Sequence, residues 1–320
     1  MDFVYHDVVP LGVVPYPAKG QENQESPNQN LRGMKMKLPL LIAKHSDRLV
    51  KAGIDQGLAE VEIILCHLLD VDRLKLYLDG EKQLQQQHLV QLEEIVQRRA
   101  TRYPLQYILG EAWFYGRCFS VSPAVMVPTP ETEMLCEAAM GFIRSREYKK
   151  PRILDIGAGS GVISVTLANE IQDCSITAVD ISDEALEIAR QNASKLGGEE
   201  KIEFLRSDFF STVDANNGFD LILSNPPYIS EDEYRELPPE VLADPKISLV
   251  ADDDGLGAIA SIIDAAPNYL APGGRIMLEI GYNQADRVSL LTEKDDRFRY
   301  ITILKDLNDI DRVVILACDD

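Results

Sequence analysis

A chain of 320 residues, 45% of them hydrophobic, can bury a substantial core and by length suits two domains of about 150 residues each. With 32 Lys and Arg against 52 Asp and Glu, the formal net charge is −20, a field that repels phosphate backbones and argues against a nucleic-acid substrate. No run approaches the roughly 18 apolar residues of a membrane span, and Cys66, Cys118, Cys136, Cys174 and Cys318, with no C-x-x-C pair, read as core thiols of a reducing cytoplasm rather than a disulfide or zinc framework.

Residues 1–36 form an extension rich in Gln, Asn, Pro and Gly. The stretch Gln21 to Asn30 has almost nothing to bury and is expected to be disordered. It makes a poor transit peptide, since Asp2, Asp7, Glu22 and Glu25 are acidic and Arg32 is its only arginine. Residues 37–108 read as a small bundle of four or five helices. Leu58, Val61, Ile64, Leu65, Leu68 and Leu69 recur in three- and four-residue steps, as do Leu89, Leu92, Ile95 and Val96. No catalytic constellation appears there, so substrate docking and a purely structural cap both stay open. Residues 109–128 carry short β-like pieces around Tyr115-Gly116, expected as a hairpin-like linker. A third region, residues 129–320, opens on a helix with Thr129 as N-cap, Pro130 at the first helical position, and acids in the first turn.

From there strands and helices alternate, the mark of an α/β fold with a mostly parallel sheet. Arg152 to Ile156 reads as a strand, followed by Gly157-Ala158-Gly159-Ser160-Gly161 and a helical run from Val162 to Glu170. Ser175 to Val179 is the next strand, and Asp180 stands at its end, nineteen residues after Gly161, where an acid meets ribose hydroxyls in nucleotide-binding βαβ units. After the strand Ile202 to Arg206 come Asp208, placed to accept from an adenine amino group, and Phe209, placed to lie on the ring. A dinucleotide fingerprint needs its third glycine at the sixth loop position, which here is Val162. Glycines at the first, third and fifth positions, with Asp155, Asp180 and Asp208 at successive strand ends, favour S-adenosylmethionine, which has no pyrophosphate to seat on a helix N-terminus.

The strand Phe219 to Ser224 delivers Asn225-Pro226-Pro227-Tyr228 to the same sheet edge, where ligands of open α/β sheets bind. Asn-Pro-Pro is also an ordinary turn signal. Its chemistry is nevertheless particular. Neither proline has an N–H, so the backbone offers carbonyl acceptors on a chain of nearly fixed φ, and Asn225 adds a side-chain acceptor. Two acceptors converging on one planar NH2 group hold both hydrogens and leave the nitrogen facing outward, as alkylation of an amide or exocyclic amine requires. Tyr228 is placed to stack on the planar substrate group. Glu231-Asp232-Glu233 and Asp252-Asp253-Asp254 read as solvated acidic loops rather than a metal site. A helix from Gly255-Leu256 to about Asn268, a turn at Pro272-Gly273-Gly274 and a strand from Arg275 to Ile280 follow. Ile301 to Leu304 and Val313 to Ala317 should pair antiparallel at one edge.

Taken in order, several stretches resemble the N5-glutamine methyltransferases that modify the Gly-Gly-Gln motif of peptide chain release factors, over about Leu38 to Cys318. They are Pro104-Leu105-Gln106-Tyr107-Ile108, Pro130-Glu131-Thr132-Glu133, Asp155 to Gly161, Asn225 to Ile229, Asp254-Gly255-Leu256, Glu279-Ile280-Gly281 with Gln284, and Asp311-Arg312-Val313. Asn-Pro-Pro-Tyr alone is shared with adenine-N6 DNA methyltransferases. The resemblance implies a seven-stranded class I (Rossmann-like) methyltransferase sheet preceded by a helical bundle. It implies S-adenosylmethionine as cofactor, held by Gly157, Ala158, Gly159, Ser160, Gly161, Asp180, Phe209 and Asn225, to which the reading of the strand ends adds Asp208. It also implies a class 1 release factor as protein substrate, with its glutamine bound by Asn225, Pro226, Pro227 and Tyr228. Of these, Asn225, Pro226 and Tyr228 carry the chemistry. A cytoplasmic monomer without DNA, membrane or metal is expected; glutamine on a ribosomal protein and adenine in DNA are the alternative substrates. One departure stands out: the family usually reads Pro-Arg-Pro-Glu, and here Thr129 replaces the arginine.

Overall fold

A computed structural model describes residues 37–293 and 295–318, so the reading of residues 1–36 lies outside the described residues. The chain divides between Leu109 and Gly110 into two compact units.

The first unit holds α1 (Leu38–Lys51), α2 (Gly57–Leu69), α3 (Arg73–Gln83), α4 (Gln86–Arg99) and the short α5 (Leu105–Leu109). Leu38, Leu41, Ile42, His45 and Leu49 make the buried stripe of α1 at helical spacing. At Gly57 an added Cβ would sit 2.7 Å from the Ser46 carbonyl, so α2 starts against α1 at a distance only glycine permits. Asp72 caps α3 by accepting from the Lys75 N–H at 2.7 Å. The guanidinium of Arg99, buried on α4, grips Glu60 of α2 with two nitrogens at 2.7 and 3.0 Å.

The second unit begins with the hairpin β1 (Glu111–Phe114) and β2 (Arg117–Ser120), whose Phe114 and Phe119 are buried in this unit's own core. Then come α6 (Pro130–Arg146), β3 (Arg152–Ile156), α7 (Val162–Glu170), β4 (Ser175–Asp180), α8 (Asp183–Leu196), β5 (Ile202–Arg206) and β6 (Phe219–Ser224). The rest is α9 (Glu231–Tyr234), α10 (Asp252–Gly255), α11 (Gly257–Ala265), β7 (Leu270–Glu279), α12 (Ala285–Thr292), β8 (Phe298–Lys305) and β9 (Asp311–Cys318). The seven-stranded sheet runs in the order β5-β4-β3-β6-β7-β9-β8. Strands β3 to β7 are parallel, and β9 lies antiparallel between β7 and β8. Alternation sorts the strand residues into two cores: Ile153 belongs to the one with α6, α7 and α8, Leu154 and Ile156 to the one with α11 and α12. The chain moves outward through β3, β4 and β5, then returns to the other side of β3 with β6. That reversal opens a crevice at the C-terminal ends of β3 and β6, the place where such sheets bind ligands.

Two details depart from the sequence reading. Strand β7 starts at Leu270 rather than Arg275, because the turn residues 271–274 bulge out between the Phe219–Leu270 and Leu221–Arg275 pairs. The acids at 231–233 are solvent-exposed as read, but they form the first turn of α9 rather than a loop. Ser230 Oγ accepts from the Glu233 N–H at 3.2 Å while Glu233 Oε2 accepts from the Ser230 N–H at 3.0 Å, a capping box at a helix N-terminus that favours negative charge. In α10, Asp253 and Asp254 both take left-handed φ near +54°, so that stretch is a kinked turn rather than a regular helix.

Candidate active site

The end of β6 is tied to the end of β3 by a buried hydrogen bond: Ser224 Oγ donates to the Ile156 carbonyl at 2.7 Å. This fixes where Asn225 leaves the sheet. Pro226 is buried, and Tyr228 is held through its backbone. Gln284, buried at the N-terminus of α12, donates from Nε2 to the carbonyls of Tyr228 at 2.8 Å and Gly255 at 3.2 Å, and accepts the Gly281 N–H at 2.9 Å. On the far side, the Ile229 N–H donates to the Leu249 carbonyl and the Ala251 N–H to the Ile229 carbonyl, at 2.9 and 3.0 Å. The Asn-Pro-Pro-Tyr loop is therefore braced from two directions.

Gly255 is where this brace has no slack. Its φ is +82°, and a Cβ there would stand 2.5 Å from the Tyr228 carbonyl oxygen. Gly255→Ala is expected to lower stability by about 2–4 kcal/mol in urea unfolding, from left-handed strain together with the overlap, and to reduce turnover by displacing Tyr228.

The Asn225 amide is oriented by residues from two other elements. Its Nδ2 donates to Thr132 Oγ1 at 3.0 Å, and Thr132 Oγ1 donates to Glu279 Oε2 at 2.8 Å. Through Thr132 the Asn225 amide is thus coupled to the Glu279 carboxylate. Thr132 lies in the first turn of α6 and Glu279 at the end of β7, each 2% exposed. Burial pushes the Glu279 carboxyl up to about 7, with the Thr132 hydrogen bond, the Asn225 amide and the Arg312 charge drawing it down and Glu131 pushing it further up. Thr129 does begin α6, but its hydroxyl makes no cap hydrogen bond; it stands 3.4 Å from Thr132 Oγ1 instead. Glu133, one turn in, accepts the Tyr115 N–H at 2.6 Å and anchors the hairpin.

On the other side of the crevice, the glycine loop divides by role. Gly157 and Gly159 have φ of +77° and +54°, and a Cβ on either would meet nothing closer than 4.0 Å, so their flank is open space that a ligand can approach. Ala158, Ser160 and Gly161 are turned into protein. The Ser160 carbonyl accepts from Asn192 Nδ2 at 2.8 Å, and a Cβ on Gly161 would stand 3.1 Å from that of Ala189 on α8. Asn192 also exchanges hydrogen bonds with both backbone groups of Ser120, at 2.7 and 2.9 Å, joining loop and hairpin.

Asp180, half-buried at the tip of β4, is fixed by two backbone donors. Its Oδ2 accepts the Gly159 N–H and its Oδ1 the Ser182 N–H, both at 2.9 Å. Each oxygen keeps a lone pair for a further donor, the arrangement a pair of ribose hydroxyls fits. Asp208 is exposed after β5, while Phe209 sits against the second core with φ +46°, an uncommon backbone for an aromatic residue. Its turn is held by Asp208 N–H on Ser211 Oγ and Thr212 N–H on Ser207 Oγ, each at 3.1 Å. Asp155, in contrast, is wholly buried below the loop. Its Oδ2 accepts from the N–H and hydroxyl of Ser164, its Oδ1 has no protein partner, and burial pushes its carboxyl up to about 6. The three acids thus stand on or just after adjacent strands as expected, but only Asp180 and Asp208 are reached by solvent.

The open flank at Gly157 and Gly159, the anionic tip of β4 and an aromatic ring after β5 fit a nucleoside-bearing cofactor of the S-adenosylmethionine kind. Thr132, Glu279, Gln284 and Asn192 were not singled out from the sequence for any chemistry. The only signal was that the first three fall in the motif stretches of the resemblance.

A family described as the PrmC N-terminal domain matches residues 41–110, and one described as the methyltransferase small domain matches residues 140–251. A release factor glutamine methyltransferase of Fusobacterium nucleatum is 39% identical over 274 residues, covering 85% of this chain and 76% of that protein. Another of the same description, from Nitratidesulfovibrio vulgaris, is 39% identical over 276 residues, 86% of this chain and 92% of its own length. Among solved structures, the hMettl16 catalytic domain in complex with MAT2A 3'UTR hairpin 1 superposes with a TM-score of 0.52 over 71% of this chain and 83% of its own, at 14% identity, a likeness of fold alone.

Proposed function

Because this chain belongs to the release factor glutamine methyltransferase family, we propose that its crevice methylates the side-chain nitrogen of the Gly-Gly-Gln glutamine of a class 1 peptide chain release factor. The observation that carries the reading is the Asn225 amide: its nitrogen is committed to Thr132, which is in turn tied to Glu279, so its oxygen is the end left for a ligand at the sheet's switch point. An amide oxygen beside two residues without N–H groups makes an acceptor-only cradle for a planar NH2 group.

Asn225 Oδ1 and the Pro226 carbonyl accept the two N–H bonds of the glutamine, and Tyr228 lies along the flat amide. A glutamine nitrogen is a poor nucleophile while its lone pair is delocalised. Acceptors set for a tetrahedral nitrogen favour the transition state over the planar ground state, and positioning supplies much of the rate. Burial keeps the Tyr228 phenol protonated well above its ordinary range, so it acts as a surface and a donor, not as a base. The cofactor is S-adenosylmethionine, which supplies a methyl group on a sulfonium. Gly157 and Gly159 give its backbone approach, with Ala158, Ser160 and Gly161 shaping the loop; Asp180 takes the ribose hydroxyls, Asp208 and Phe209 the adenine, and Asn225 borders the reacting end.

For the helical unit, residues 37–108, the proposal is a docking element for the protein substrate, with a purely structural cap as the equal alternative. No helix among the described residues is long and apolar enough to cross a membrane, and the reading is of a cytoplasmic monomer that uses neither DNA nor metal. The test is mass spectrometry of a purified class 1 release factor incubated with this protein and S-adenosylmethionine. One added methyl mapped to the Gly-Gly-Gln glutamine is the expected result. A release factor left unmodified while the cofactor binds would remove this substrate and turn the search to other glutamines, then to adenine.

A further inference from the structure

We infer that Thr132 and Glu279 are positioning residues for methyl transfer, fixing which end of the Asn225 amide is turned toward the substrate. The inference rests on the reading of Asn225 as the acceptor for the glutamine N–H. The two ends of an amide have almost the same shape, so rotation by half a turn about its last bond meets little steric resistance, and hydrogen-bond partners decide between them. An ionised carboxylate carries no hydrogen. The single hydroxyl hydrogen of Thr132 therefore goes to Glu279 Oε2, at 2.8 Å, and the Thr132 oxygen has only lone pairs left for Asn225 at 3.0 Å and Thr129 at 3.4 Å. Only the nitrogen end of Asn225 can answer those lone pairs. The reversed amide would press its oxygen against the lone pairs of the Thr132 oxygen. All of this lies where water cannot substitute, since Thr132 and Glu279 are each 2% exposed.

The polarity of the chain is set by one proton. When Glu279 is protonated it becomes a donor: it gives its hydrogen to Thr132, the Thr132 hydroxyl turns to Asn225 Oδ1, and the amide presents its NH2 to the substrate's NH2. Two donors then face each other and the cradle no longer binds. The groups facing Glu279 are Glu131, Thr132 and Cys136 from α6, Arg312 from β9, Asn225 after β6, and Tyr228. Cys136 and Tyr228 are pushed upward by burial and stay neutral here, leaving Glu131 and Arg312 as the opposing charges. With burial setting Glu279 to about 7, the productive polarity is present above neutrality and is lost as the pH falls through that value.

The test uses the full chain and a full-length release factor. It measures kcat and KM on both sides of neutrality and the Kd of S-adenosylmethionine by calorimetry, for wild type, Thr132→Val, Thr132→Ser, Glu279→Gln and Asn225→Ala. Thr132→Val is expected to lower kcat by about 10- to 100-fold with cofactor Kd within about threefold, and Thr132→Ser to recover most of that loss. Wild type is expected to lose kcat/KM on the acid side of neutrality, and Glu279→Gln to lose that inflection. Full kcat in Thr132→Val, or Thr132→Ser no faster than Thr132→Val, or an unchanged inflection in Glu279→Gln, would each overturn the proposal. With Asn225→Ala inactive, such a result removes only the positioning role. Asn225→Ala near the wild-type rate removes the reading of Asn225 beneath it.

Discussion

Asn225→Ala is expected to slow methyl transfer at least about a hundredfold while S-adenosylmethionine binds within about threefold of its wild-type affinity, as read by single-turnover kinetics and calorimetry. The asymmetry follows from where Asn225 stands. It leaves β6 beside the glycine loop, with its backbone carbonyl about one van der Waals contact from where a Gly157 side chain would be, yet its side chain is bonded to Thr132 on α6. Losing the amide takes away one of two acceptors on the substrate nitrogen and leaves the cofactor's ribose partner untouched. Its removal also strands the Thr132 lone pair, so the variant should be checked for folding by its cofactor Kd. Asn225→Ala at full rate with an intact cofactor site would show that the two substrate N–H bonds are met by other groups.

Asp180→Ala is expected to do the reverse, weakening S-adenosylmethionine by roughly a hundredfold. Hydrogen bonds to a carboxylate are worth about 1.5–3 kcal/mol each, so losing a pair to ribose hydroxyls accounts for a change of at least that size. The same carboxylate holds the Gly159 and Ser182 N–H groups at 2.9 Å, which means the loop loses its shape along with its ligand partner. Asp180→Asn keeps one acceptor oxygen and should lie between the two, near tenfold. At saturating cofactor, kcat for Asp180→Asn should recover toward wild type, because the glutamine cradle is built from other elements. A Kd unchanged in Asp180→Ala would place the ribose elsewhere on the sheet edge.

Much of this site is legible from the chain alone because its parts are local. A strand that alternates and then stops at Asp180 or Asn225 announces its own C-terminal edge, and glycine spacing is read within five residues. What could not be read is the set of contacts that join distant segments. Thr132, Asn225 and Glu279 are 93 and 147 residues apart by their pairings, and no spacing rule says that the first turn of α6 meets the ends of β6 and β7. Gln284 presents the same difficulty: it looks like the polar start of a helix, and only the fold brings its amide onto Tyr228 and Gly255. Asp155 shows the same limit from the other side. Its place two residues before the loop suggests a ligand, but in a parallel strand covered on both faces that position points down into the core, where Ser164 takes one oxygen. The acids at 231–233 likewise announce charge but not the capping box that gives them a reason to be there.

The placement of β9 between β7 and β8 sets an order of assembly. Strand β8 precedes β9 along the chain but joins the sheet through β9, on the register that begins Phe298–Cys318. Until β9 is laid along β7, the chain holds β8 as an unattached β-rich segment beside an open, apolar β7 edge, whose Met277 and Leu278 wait for Ile315 and Val314. Those are complementary surfaces without their separator, and direct pairing of β8 on β7 would be a competing, wrong sheet. The slow step in forming this unit should therefore be the insertion of a strand rather than the docking of a helix. Chains caught before that insertion would be the ones that find each other and aggregate.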